Sequence, residues 1–321
     1  MTITSGEFER RADPHRRELL VHCYRMLGSM HDAEDLVQET MLRAWRSYDS
    51  FDEGRASLRT WLYRIATNAC LTSLKSSQRR PLPSGLGQPS EDPDQPLVAA
   101  LESPWLEPFP TPTQDRDASD PAALVSAREG IRLAFVAALQ VLPAKQRAAL
   151  ILRDVLDYSA AEVATMLDTT PTAINSALQR ARGAVDRLVA YEEPDDQHSA
   201  ETSRGVIEQY VTAFERADIV ALTRLLADDV ILEMPPIPFW FAGPDHYAQF
   251  ISRIFRTRGT EWRLLPTSSN TQLALGAYVL DRGAFQPHSI QVFTITDRVT
   301  HNVVFQDPHL FPAFGLPPQL A

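Results

Sequence analysis

The sequence predicts a multi-domain chain: two all-α helical domains joined by a Pro-rich linker, then a C-terminal α+β domain. Three observations carry this. Apolar residues recur at helical spacing through residues 14–80, and again from about 122 to 191. Between them, residues 81–125 hold many of the 24 prolines and little periodicity. Beyond residue 200, a helix pair gives way to short β-rich runs bounded by turn residues. The boundaries read as 1–80, 81–125, 126–191 and 200–318, and 321 residues exceed what one ordinary core organises.

With 44% apolar and 22% charged residues, the chain belongs among globular rather than disordered sequences. Its formal charge of -10 is unevenly spread. Residues 1–80 and 126–190 each carry +2, while 81–125 and 191–321 each carry -7. Nucleic acid responds to the field within a Debye length, ~8 Å at physiological salt, so the acidic total does not exclude it as a partner. The opening MTITSGEFERR has no apolar run, so no secretory signal is expected. No stretch approaches the ~18–20 apolar residues of a membrane span. Cys23 and Cys70 sit in apolar helical patterns and are expected to be reduced core residues of a cytoplasmic protein. No Cys/His spacing resembles a metal site, and no cofactor is expected.

HDAEDLVQETMLRAWRSY (31–48) predicts a helix N-capped by Asp32, with an apolar stripe at Ala33, Val37, Met41, Ala44 and Trp45. FDEGRAS (51–57) interrupts it at Gly54. A second helix follows in SLRTWLYRIATNACLTSLKSSQRR, with Leu58, Leu62, Ile65, Cys70 and Leu74 as core candidates. From Pro81 the prolines remove backbone donors and disfavour helix in the residues before them, so the segment reads as a linker. WLEPFP (105–110) stands apart, because a Trp-Leu-Phe cluster in a polar tether is expected to pack against something.

SAAEVATMLDTTPTAINSALQRARGAV (159–185) predicts a helix-turn-helix. Ser159 with Glu162 three positions on is a capping-box pattern, and Pro171 suits a helix's first position. Val163, Ala164 and Leu167 face inward, and Ile174 and Leu178 anchor the second helix. That leaves Thr172, Asn175, Ser176 and Gln179 outward at its N-terminal half, the part that enters a major groove. Asn and Gln pair bidentately with adenine, and Ser or Thr bonds several base edges. Arg180 and Arg182 lie further along, placed for phosphates. The bland alternative is a helical hairpin with a solvated face. The preceding LPAKQRAALILRDVLDYS adds a helix with Lys145, Arg147 and Arg153.

These residues resemble a known family. LPAKQRAALILRDVLDYSAAEVATMLDTTPTAINSALQRAR is similar to region 4 of sigma-70-type transcription initiation factors. DAEDLVQETMLRAWRSYDSF with LRTWLYRIATNACLTSLKSSQRR is similar to region 2 of the extracytoplasmic-function group. One departure is Asp168, where such turns more often carry glycine; Asp tolerates the left-handed conformation better than most residues. The resemblance implies that core RNA polymerase docks on Asp35, Gln38, Glu39 and Arg43. It implies that the promoter's -10 element is opened near Asn68, with Arg55, Ser57, Trp61, Arg64, Lys75, Arg79 and Arg80 as further contacts. Trp61 fits a stacking surface and a core position equally. The -35 element would fall to Thr172, Asn175, Ser176, Gln179, Arg180 and Arg182.

In the final third, a helix pair at about 203–227 precedes strands in DVILEM, EWRLLPTS, TQLALGAYVL, SIQVFTITD and VTHNVVF. RGVIEQYVTAFERADIVALTRLLADDVILEMPP resembles the opening of the NTF2/SnoaL-like fold, a cone whose cavity holds a ligand or a catalytic carboxylate in related enzymes. Tyr210, Asp229, Glu233, Trp240, Phe241 and His246 are the pocket candidates. The resemblance leaves three roles open: a scaffold regulating the factor in cis, a sensor of a small-molecule ligand, or a cyclase or isomerase fused to a DNA-binding regulator. No fixed base–acid spacing marks catalysis. The tail QDPHLFPAFGLPPQL is expected to pack Phe311, Phe314 and Leu316 on this domain or against the linker around Trp105.

Overall fold

A computed structural model describes residues 5–76, 79–111, 132–189 and 200–321. They fall into two units, one drawn from residues 1–80 and 118–191 and the other from 81–117 and 192–321.

The first unit opens with α1 (Ser5–Ala12), α2 (Arg16–Leu27), α3 (Met30–Ser47) and α4 (Leu58–Ser73). Almost the whole C-terminal two-thirds of α2 is buried, so α3 and α4 pack around it as the centre of the bundle. Gly28 ends α2 in the left-handed conformation at φ 71°. The N-cap of α3 is Ser29, whose Oγ accepts from the Asp32 amide at 3.1 Å. Asp32 is therefore the acid at the third helical position rather than the expected cap. Ala33, Val37, Met41 and Ala44 form the buried stripe, whereas Trp45 lies at its edge against Phe8. In α4 the core positions are Leu62, Tyr63, Ala66, Thr67, Ala69 and Cys70; Leu58, Ile65 and Leu74 are only half-buried.

The second part of this unit holds α5 (Leu133–Val141), α6 (Ala144–Leu150), a π turn (Ile151–Val155), α7 (Ala160–Met166) and α8 (Pro171–Val189). The expected start near Ala122 lies outside the described residues. Both halves of the Ser159–Glu162 capping box are formed. Asp168 takes φ +50°, the left-handed turn that the sequence demanded of a non-glycine residue. Cys23 and Cys70 are buried and unbridged.

In the second unit, α9 (Ala200–Glu215), α10 (Ile219–Arg224) and α11 (Pro244–Arg258) pack on a six-stranded sheet. Its strands are β1 (Leu226–Glu233), β2 (Trp240–Ala242), β3 (Trp262–Ser269), β4 (Gln272–Asp281), β5 (Ala284–Ile295) and β6 (Val299–Phe305). The order is β2-β1-β6-β5-β4-β3, with β1 and β6 parallel and the other pairs antiparallel. Tyr210, Phe214, Phe250 and Phe255 of the helices meet Val230, Leu232, Leu275, Ala277 and Phe293 of the strands. This is the α+β domain that the sequence predicted, with α11 and β2 as elements beyond that expectation.

The opposite face of the sheet is covered too. The tail lies across β4, with Phe311 edge-on to Tyr278, and a Cβ at Gly276 would collide with Leu316. Residues 81–104, expected as a linker, are instead part of a strap built into this unit, and WLEPFP (105–110) packs on it as expected. Leu82, Trp105, Leu106 and Phe109 are buried. The strap's backbone donates from Ser90 to the Trp240 carbonyl (2.7 Å), from Ala100 to Pro236 (2.9 Å) and from Thr111 to Ser268 (3.1 Å). Arg253 Nη1 in turn donates to the carbonyls of Pro93 and Gln95 at 2.8 and 2.7 Å.

Candidate nucleic-acid interface

In α8, Ile174, Leu178, Ala181 and Val185 recur at helical spacing and are buried. The helix is started by Pro171 and by Thr170, whose Oγ1 accepts from the Ala173 amide at 3.2 Å. Its other face is set by the same period. Thr172, Asn175, Ser176, Gln179, Arg180 and Arg182 are all exposed, so every residue expected to meet duplex is presented together. Arg182 is held by Asp154 through two hydrogen bonds of 2.7 and 2.6 Å. Of the cations expected just before the helix-turn-helix, Lys145 is exposed but Arg147 is not. Arg147 is buried, bonds the carbonyls of Met26, Gln140 and Leu142, and reaches Gln140 Oε1 at 2.6 Å. Burial pushes its pKa down to about 10. It joins α6 to the C-terminal end of α2 and offers nothing to phosphate in this arrangement.

On α3, Asp35, Gln38 and Arg43 are exposed and Glu39 is half-buried, bonded to Arg43 at 2.6 Å. Exposed Leu42 and Trp45 adjoin them, an apolar element of this face that the charge pattern alone did not reveal. The loop before α4 presents Arg55, paired with Asp52 at 3.3 Å, and Ser57, whose Oγ caps α4 by accepting from the Thr60 amide. Trp61 is half-buried against Phe51 with ring centroids 4.9 Å apart. It belongs to an aromatic cluster with Tyr48 and keeps part of its surface outside. Tyr63, two positions on, is wholly buried beside Glu18. Arg64, Asn68, Lys75 and Arg79 are exposed, whereas Arg80 is paired with Asp32 at 2.6 Å. Asn68 Nδ2 also donates to the Met166 carbonyl of α7 at 3.4 Å.

The C-terminal pocket set is not assembled. Asp229 is exposed at the surface. Glu233 is fully buried but on the sheet face away from the helices, where Oε1 accepts from His301 Nε2 (2.6 Å) and Oε2 from the Ser84 amide of the strap (2.9 Å). Strands point successive side chains to opposite faces, and Leu232 takes the inner one. Trp240 is half-exposed and donates to the Gly87 carbonyl of the strap at 2.9 Å. Phe241 is packed on Phe250, and His246 Nδ1 lies 3.1 Å from the Ala242 carbonyl. Only Tyr210 points a polar group inward. Its hydroxyl meets Tyr247 (2.9 Å) and Gln291 (3.2 Å), and Asn302 Nδ2 donates to Tyr247 at 2.7 Å. Burial raises both phenols, Tyr247 to about 12, so this centre is neutral. The residues expected to supply acid–base chemistry therefore do not converge on one cavity.

Family models described as Sigma-70 region 2 and Sigma-70, region 4 match residues 12–80 and 132–185. The chain is 47% identical over 325 residues to the ECF RNA polymerase sigma factor SigG of Mycobacterium tuberculosis, spanning 98% of this chain and 85% of that one. It is 33% identical over 218 residues to the ECF RNA polymerase sigma factor SigJ of the same organism, spanning 67% of this chain and 61% of that one. The crystal structure of M. tuberculosis extracytoplasmic function sigma factor SigJ superposes with a TM-score of 0.65 at 26% identity, covering 98% of this chain and all of that one. Among the described residues, no helix is long and apolar enough to cross a membrane.

Proposed function

The chain belongs to the extracytoplasmic-function family of RNA polymerase sigma factors and directs transcription initiation, and we propose how its residues divide that work. The exposed face of α8 reads -35 duplex: Thr172, Asn175, Ser176 and Gln179 contact base edges, and Arg180 and Arg182 contact phosphates. The α3 face of Asp35, Gln38, Glu39 and Arg43 docks on core polymerase, where opposite charges steer the encounter. Asn68 holds a base of the opened -10 element, with Trp61 beside it and Arg55, Ser57, Arg64, Lys75, Arg79 and Arg80 on the adjoining strand. The C-terminal domain acts on the factor in cis rather than as an enzyme, and the place of action is the cytoplasm. The observation that carries this reading is the α7–α8 pair, whose period buries one face of α8 and presents six DNA-competent side chains on the other.

The test is transcription with core polymerase. The full chain should yield promoter-specific transcripts from genomic templates, and Asn175→Ala should change which templates respond. A chain that directs no specific transcript from any template would defeat the reading. The regulatory part is separately exposed: truncation after residue 199 should change output while -35 selectivity persists, and unchanged output removes it.

A further inference from the structure

A carboxylate stands on the face of α8 assigned to DNA. Asn175, Gln179 and Arg182 are spaced i, i+4, i+7 and so form one stripe of the helix. All three line a groove of about 460 Å³ together with Arg153, Leu178 and Gly183. At its edge Arg182 closes a two-point fork on Asp154, Nε to Oδ2 at 2.7 Å and Nη2 to Oδ1 at 2.6 Å. Asp154 lies in the π turn Ile151–Val155, whose wider winding changes which side chains face α8. Its neighbour Arg153 reaches the groove as well, with Nη1 donating to the Tyr158 carbonyl. A negative charge where phosphates approach opposes binding, since affinity grows with the phosphates neutralised.

We propose that Asp154 is a specificity-determining residue for the -35 contact: it occupies the Arg182 fork in the free protein and yields it to a backbone phosphate when α8 is seated in register. This rests on the -35 reading given above. A guanidinium binds carboxylate and phosphate in the same bidentate geometry, so the two compete for one fork. The Arg182 and Asp154 side chains are 55% and 28% exposed, and pairs this open to water hold weakly, so exchange needs no unfolding. On a wrong sequence the exchange gains nothing: one ion pair breaks as another forms, and the released carboxylate then faces the phosphates. On the right sequence, base contacts from Asn175 and Gln179 keep the helix deep enough to complete it. Asp154 therefore lowers affinity for all duplexes and lowers it most for incorrect ones.

The experiment uses the full chain mounted on core polymerase, the duplex it selects best from a random pool, and a scrambled version of that duplex. Asp154→Asn should tighten binding to the scrambled duplex about tenfold and steepen the salt dependence by about one phosphate. The selected duplex should gain less, so the specificity ratio falls, and adding Arg182→Ala should cancel both effects. Weaker binding, or an unchanged salt slope, would make Asp154 a support for Arg182 and overturn the proposal. A change confined to one base pair would make it a base reader and overturn the proposal equally. Asn175→Ala separates the levels: altered base preference beside an inert Asp154→Asn sinks only the Asp154 assignment, and no response to either sinks the -35 reading with it.

Discussion

His22 ties the stability of the first unit to acidity through a single ring. It is completely buried, and Nε2 lies 2.9 Å from Thr67 Oγ1. The Thr67 hydroxyl already donates to the Tyr63 carbonyl at 2.7 Å, so its oxygen must accept from His22 and Nε2 carries the proton. Nδ1 is buried without a hydrogen-bond partner. Burial, with Arg25 and Arg59 acting in the same direction, pushes the pKa down to about 3. A histidine whose folded pKa is depressed takes up its proton first in the unfolded chain. Its contribution is thus complete above about pH 6.5 and is lost as pH falls toward 3, at ~1.4 kcal/mol per pH unit. Chemical denaturation across that window should show this slope, and His22→Gln should reduce it by about one proton. Equal slopes in the two proteins would mean that the ring is not the group responsible. His288, pushed to about 4 mainly by burial, adds the same sign in the second unit.

At the scale of elements, the strap is fixed by a turn. Asn270 sits between β3 and β4 at φ +54°, accepts from the Phe109 amide at 2.8 Å through Oδ1, and returns its own amide to the Phe109 carbonyl at 2.8 Å. Asn270→Gly keeps the left-handed backbone and deletes only the side chain. Losing a buried acceptor is worth ~1–3 kcal/mol, so the Phe109 and Thr111 amides should exchange with solvent roughly five- to 150-fold faster while the centre of β4 is unaffected. Unaltered exchange at Phe109 would show that this side chain does not hold the strap. The strap also marks where sequence reading stopped. From Ser84 to Ala100 the strap is held largely through its backbone groups, which leave no apolar period to read, whereas the buried cluster in WLEPFP was legible. The α7–α8 pair was legible because one side of each helix is solvated and the period survives. For Glu233 the signal was absent for a different reason: with helices on one face of the sheet and strap and tail on the other, β1 has no consistent polar side. Its burial pattern cannot tell a reader which face an acid occupies. Two further signals are present in the sequence. Ser29-x-x-Asp32 is as good a cap signature as the one read at Ser159. Tyr247, Phe250, Ile251 and Phe255, following Pro244, carry the helical spacing of α11.

For the molecule as a promoter reader, the packing inside the first unit sets a condition. Arg147 and Gln140 bond the Met26 and Arg25 carbonyls at the end of α2, Arg59 reaches the Tyr158 hydroxyl at 3.4 Å, and Asn68 reaches the Met166 carbonyl. The region assigned to the -10 element therefore touches the region assigned to the -35 element. On DNA these elements lie about 25 positions apart, or about 85 Å at ~3.4 Å per position. A helix of 19 residues such as α8 spans only ~28 Å, so the packed unit cannot reach both. The contacts that join the halves include these hydrogen bonds to carbonyls, which water can replace, beside helix packing and the Tyr63–Tyr158 ring contact, and Arg147 regains solvation when they part. Promoter engagement must then separate α1–α4 from α5–α8. Fluorophores on exposed Ser50 and Thr165 report this directly, since the native cysteines Cys23 and Cys70 are buried away from labelling. Energy transfer should be high in the free chain and collapse on addition of core polymerase and promoter duplex, with the distance growing by tens of ångströms. High transfer that persists in a transcribing complex would contradict the assignment of the two elements to these two faces.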